Sequence, residues 1–95
     1  MKHQAWAVIV EDYGADVEVT VYMDKNEAVS AAAEIYGSSV DVRDVDQAVN
    51  YDSPVGVHDV PGWPFFACYS PEGGCVSVRP VYIHGEALRE AHHGG

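Results

Sequence analysis

Two cysteines and a histidine–aspartate pair are the side chains here whose types allow covalent chemistry. Cys68 and Cys75 are separated by six intervening residues, and His58 stands beside Asp59. A nucleophilic thiol needs a histidine to take its proton and a further group to orient that histidine. His58 with Asp59 would supply both to Cys68 or Cys75. Nothing in the chain order brings these residues together, and the cysteine spacing matches no zinc or thioredoxin pattern. The default is a pair of reduced, partly buried thiols, with a disulfide left open under oxidation if a hairpin brings them close.

Metal and phosphate chemistry has less to work with. Asp41, Asp44 and Asp46 in DVRDVD resemble a cation loop, but calcium loops need alternating oxygens around a glycine-bearing turn and a closing bidentate glutamate. A solvated strand face accounts for these acids. His3, His58, His84, His92 and His93 show no HExxH or other ligand spacing. No GxGxxG, P-loop or GxSxG motif occurs, and EGG at 72–74 reads as a turn. The expected set is therefore no catalytic residue, no metal and no cofactor.

The stronger signal is charge. The chain has 15 acids, 5 bases and a net charge of −10. Twelve of the acids fall between residues 11 and 59 against Lys25 and Arg43, whereas elsewhere acids and bases balance. No basic patch exists to neutralise phosphates, so direct nucleic-acid binding is excluded. Fixed carboxylates on a compact domain would instead give fast, salt-sensitive association with a basic protein surface. Glu11, Asp12, Asp16, Glu18, Asp41, Asp44 and Asp46 are the expected partner-binding acids. The competing reading is that the acids serve solubility or salt adaptation.

These residues must be positioned by a small single domain, expected over 1–84, with a tail or short helix over 85–95. Residues 5–11 and 17–23 read as strands around DYGAD. A two-residue turn at Tyr13-Gly14 would set Trp6 against Val21, Val8 against Val19 and Val10 against Val17, all on one apolar face. Residues 25–36 read as a helix with Asp24 as N-cap and Gly37 as a left-handed stop. Ala28, Ala31, Ala32 and Ile35 form its core stripe. Residues 38–45 alternate like a strand, and 46–62 have loop composition with a short extended piece at 55–60. WPFFACY and CVSVRPVYI read as two strands joined by SPEGG. Pro80 cannot donate to a ladder, which puts that end of its strand at an edge or a bulge. The order ββαβ-loop-ββ predicts an α+β fold: a mainly antiparallel sheet with one helix packed on a face.

The last hairpin has two registers. If Cys68 meets Cys75, then Phe65 meets Val78, and Trp63, Phe65, Ala67 and Tyr69 share the core face. A slip by one would turn Trp63 and Phe65 outward, making Trp63, Phe65 and Phe66 an aromatic patch suited to a partner. The first register buries more aromatic surface and is preferred.

WAVIV leading to YGADVEV, followed by EAVSAAAEIY, resembles small uncharacterised acidic proteins of actinobacteria and their phages, over residues 6–37. The resemblance implies no activity and no catalytic residues. It implies an accessory or phage-type protein that acts by binding, in a host cytoplasm.

Three readings follow. The first is a non-enzymatic acidic module, a phage-type inhibitor or DNA mimic occupying the basic surface of a nucleic-acid-handling protein. The second is a structural or homo-oligomeric accessory protein, and the third a small thiol enzyme using Cys68 or Cys75 with His58. The longest early apolar run, AWAVIV, is too short to span a membrane, and no signal cleavage pattern follows it, so a cytoplasmic monomer or homodimer is expected.

Overall fold

The computed structural model describes residues 2–12, 17–41 and 54–84. Five strands and one helix follow in the order β1 (Lys2–Glu11), β2 (Glu18–Tyr22), α1 (Lys25–Ser39), β3 (Gly56–Val57), β4 (Phe65–Cys68) and β5 (Cys75–His84). The strands form one sheet ordered β2-β1-β5-β4-β3, and each neighbouring pair is antiparallel. Among the described residues this is an α+β fold with one helix on an antiparallel sheet, as the element order predicts.

The sheet buries its face towards α1 because alternate residues of three strands are apolar. Val8 on β1 opposes Val78 on β5, and Phe65 and Ala67 on β4 oppose Val78 and Val76. Val76 and Val78 are 0 % exposed. Ala28 and Ala32 from α1 complete the buried cluster, with Trp6, Val10, Tyr22, Val29, Ile35, Tyr36 and Phe65 packed around it. The small alanines let the helix lie close on the sheet. The other face has its own buried strip of short side chains, Ala5, Ala7, Ser77 and Cys68.

The helix begins where expected. Asp24 is extended, and its carboxylate accepts from the Asn26 N–H at 3.3 Å. Its end differs. Gly37 stays helical, and α1 runs on to Ser39, with Val40 as the cap donating to the Tyr36 carbonyl at 2.9 Å. A glycine in a helix costs only about 1 kcal/mol relative to alanine, so it does not compel a stop. Ser38 and Ser39 therefore belong to the helix, and neither Val40 nor Asp41 is in a strand. The rest of the strand expected at 38–45, the Tyr13-Gly14 turn and the tail at 85–95 lie outside the described residues. The third strand in chain order is the two-residue β3, within the extended piece expected at 55–60.

The buried helix stripe is also rotated. Ala28, Val29, Ala32, Ile35 and Tyr36 face the core, while Ala31 is half-buried and lies at the side. The β1–β2 register is off by one from expectation: Trp6 pairs with Tyr22, Val8 with Thr20 and Val10 with Glu18. A one-residue slip exchanges faces. Val19 and Val21 therefore point away from the helix and remain 58 % and 49 % exposed.

The β4–β5 register is the preferred one, Cys68 opposite Cys75 and Phe65 opposite Val78. Pro80 sits beyond the last β4 partner, Val78, so its missing N–H removes no bond to β4.

Candidate functional site

The hydrogen-bond alternation of the sheet decides which backbone groups are free. The Tyr69 N–H donates to the Gly74 carbonyl at 2.9 Å, and the His58 N–H donates to the Phe66 carbonyl at 2.8 Å. In an antiparallel ladder, successive residues direct their polar groups to opposite sides. Residues 65, 67 and 69 thus bond to β5, and 66 and 68 to β3. Carried across β5 and β1 through the same register, Glu18, Thr20 and Tyr22 bond to β1. The N–H and C=O groups of Val19 and Val21 then face outward along the edge of β2, which has no further neighbour in the sheet among the described residues.

Beside that edge lies a groove of about 450 Å³ between β2 and α1. Tyr22, Asp24, Asn26, Glu27, Ala31 and Glu34 line it. Glu27, Ala31 and Glu34 are spaced by four and three residues, which puts them on one helix face. That face turns towards β2 because the apolar stripe, rotated from expectation, points at β1, β5 and β4. Asp24 joins them as the helix cap. Asp24, Glu27, Glu34 and Glu18 are exposed, and Glu18 lies on the sheet face that α1 covers. The edge therefore combines an acidic inner side with an apolar outer side of Val17, Val19 and Val21.

Of the seven acids singled out from the sequence, Glu11, Asp12, Glu18 and Asp41 are among the described residues. Glu11 pairs with Arg79 at 3.7 Å. Asp12 accepts a hydrogen bond from the Tyr69 hydroxyl. Glu18 lies on β2, and Asp41 is exposed just past the end of α1. Asp16, Asp44 and Asp46 lie outside the described residues. Asp24, Glu27 and Glu34, which line the groove, are not among the acids expected from the sequence, although the Glu27–Ala31–Glu34 spacing places two of them on one helix face.

The aromatic segment divides. Phe65 packs in the core, its ring edge-on to Tyr36 at 6.4 Å. Phe66 points the other way and meets Trp63 at 5.6 Å and His58 at 5.7 Å. Trp63 does not share the core face with Phe65. It precedes β4, bridges to Val60, and stacks under the Arg79 guanidinium at 4.0 Å. A second, smaller cleft of about 270 Å³ separates Trp63 from Trp6, with Lys25 over the Trp6 ring at 5.7 Å.

The thiols and His58 have different partners. His58 engages the Pro54 carbonyl at 2.5 Å and the Phe66 ring, whereas the Cys68 thiol faces that of Cys75. Burial, then the Cys75 contact, push the Cys68 thiol up to about 12, the opposite of an activated thiolate. Burial and the hydrogen bond to Asp12 likewise raise Tyr69. Among the described residues no group of three or more His, Cys, Asp or Glu is arranged to hold a metal ion, and no helix is long and apolar enough to cross a membrane.

No protein-family model matches the chain, and neither a curated protein nor a solved structure matches it.

Proposed function

We propose that this protein is a non-catalytic binding module that takes an extended basic segment of another protein along the β2 edge. The observation that carries this reading is the coincidence of a strand edge, open among the described residues, with the groove of Asp24, Glu27 and Glu34. An added strand gains main-chain hydrogen bonds from the outward groups of Val19 and Val21. Its side chains alternate, so lysines or arginines on one side enter the acidic groove while apolar residues on the other extend the valine face. Net charge of −10 favours such a partner over an acidic one and speeds its approach. Basic, extended segments are common in nucleic-acid-binding proteins, so the chain would act as an inhibitor or DNA mimic on that class of partner.

The test is retention of basic proteins from host lysate by the immobilised chain at low and high salt, beside two variants. Glu27→Lys/Glu34→Lys reverses the groove, and Val19→Pro removes an outward N–H without touching the β1 ladder. The reading requires salt-sensitive retention that both variants lose. Equal retention by the variants, or none at low salt, refutes it.

A second reading is favoured by the exposure of Val17, Val19, Val21 and Met23 at that same edge. Two copies could pair β2 against β2, with the acids serving solubility. Light scattering separates the readings: a monomer at micromolar concentration in moderate salt counts against self-pairing, since salt screens the mutual repulsion.

A further inference from the structure

The β4–β5 hairpin carries a feature that the proposed binding role does not use. Cys68 and Cys75 are direct cross-strand partners. Because Tyr69 and Gly74 form a hydrogen-bonded pair, the adjacent Cys68–Cys75 pair is a non-hydrogen-bonded one, where Cα atoms lie about 4.5 Å apart. That separation is within the range a disulfide spans, about 4.4–6.8 Å. Both cysteines are free, and their sulfurs touch at 2.8 Å.

The hairpin holds this geometry firmly. Gly73 takes φ 107°, and at Gly74 a Cβ would come within 2.6 Å of the Tyr69 ring. The ring is fixed in turn by its bond to Asp12, beyond the end of β1. The two thiols are unequally placed: Cys68 is buried at 5 % exposure, and Cys75 is half-buried.

We propose that Cys68 and Cys75 are a reversible dithiol–disulfide site, with Cys75 the attacking thiol and Cys68 the resolving one. The oxidant class is a low-molecular-weight disulfide. The Cys75 thiolate attacks one sulfur of that disulfide, forming a mixed disulfide and releasing one small thiolate. The Cys68 thiol then loses its proton to solvent and attacks the Cys75 sulfur. The Cys75–small-thiol bond breaks, the second small thiolate leaves, and the Cys68–Cys75 bond forms. The protein has lost two hydrogens and two electrons, and the oxidant has become two thiols. Burial holds Cys68 protonated and so disfavours it in the first step, whereas in the second step the Cys75 sulfur is already adjacent, which offsets that cost.

The experiment treats the full chain with oxidised glutathione and follows it by intact mass after acid quench and alkylation. The expected wild-type product has lost two hydrogens, resists alkylation at both cysteines, returns with dithiothreitol and melts at higher temperature than the reduced form. Cys68→Ser should stall as a single glutathione adduct, with Cys68→Ala as the apolar alternative if the serine variant unfolds. Cys75→Ser should react at least about tenfold more slowly, as its remaining thiol is buried. A wild type that keeps both thiols free, or that accumulates a stable single adduct, overturns the proposal. Equal rates for folded Cys68→Ala and Cys75→Ser overturn the order of attack.

Discussion

The two hairpins of this sheet have nearly the same valine alternation and opposite fates. In β4–β5, Val76 and Val78 are sealed beneath α1 at 0 % exposure. In β1–β2, Val19 and Val21 stand half in water, while Glu18, Thr20 and Tyr22 take the helix side. The difference comes from position in the sheet. β5 lies between β1 and β4, under the helix, so both registers compete for one covered face and the apolar one wins. β2 lies at the rim, where the helix offers Glu27 and Glu34 rather than its apolar stripe. There Tyr22 can pack against the core beside Trp6, and little covered surface remains for the valines. The β5 valines are sealed in, and those of β2 are left half in water.

The contrast can be broken most sharply by matched substitutions. Val78→Asp should abolish folding, and Val78→Ala should cost about 2 kcal/mol by urea denaturation. Val19→Thr should fall within about 0.5 kcal/mol of wild type. Similar losses at the two sites would contradict the assignment of one buried and one open hairpin.

Gly74→Ala should cost about 1–3 kcal/mol, because its Cβ would displace the Tyr69 ring. Tyr69→Phe, which removes only the hydroxyl bonded to Asp12, should cost about 1 kcal/mol. A Gly74→Ala variant as stable as wild type would show that the turn does not fix the ring.

The β4–β5 hairpin carries a pH dependence at the alkaline end. Cys68 is raised from 9.0 to about 12 when folded, and Tyr69 is raised above its usual 10.0. A folded state that holds its protons more tightly is favoured below the unfolded value and loses that advantage as pH rises through the folded one. Stability should therefore decline from about pH 9 towards pH 12 in chemical denaturation, and Tyr69→Phe should flatten the upper part of the fall. A profile flat to pH 11 would argue against burial of these groups.

The smallest effect is expected at the surface pair. Glu11→Gln should change stability by less than about 1 kcal/mol, since both partners of Arg79–Glu11 are solvated. Arg79→Ala, which also uncovers the Trp63 ring, should exceed it by about 0.5–1 kcal/mol. A larger loss for Glu11→Gln would reverse that order.

What the sequence revealed follows the same division. The β4–β5 register was legible because Phe65, Ala67, Val76 and Val78 alternate on both sides of a short glycine-bearing turn, and only one pairing buries them together. The helix start was legible in Asp24. Its end was not, because Gly37 permits a stop without forcing one, and the two serines after it continue the last turn. The β1–β2 register depends on which face α1 covers and on β2 lying at the rim, and neither is written in the local pattern. The groove was half legible: the helical period of Glu27, Ala31 and Glu34 is plain, but its meaning requires knowing that the strand beside it lies at the edge of the described sheet.

The central claim is that the β2 edge, with its acidic groove, receives an extended basic segment. The most direct measurement is an NMR titration of the isotope-labelled protein with a peptide of alternating lysine and valine at low salt. The predicted result is that shifts cluster on Val17, Val19, Val21, Tyr22, Glu27 and Glu34, and that the Val19 and Val21 amides become slow to exchange. Shifts spread evenly over all acids, or centred on Trp6 and Trp63 with Val19 and Val21 still exchanging freely, would contradict it.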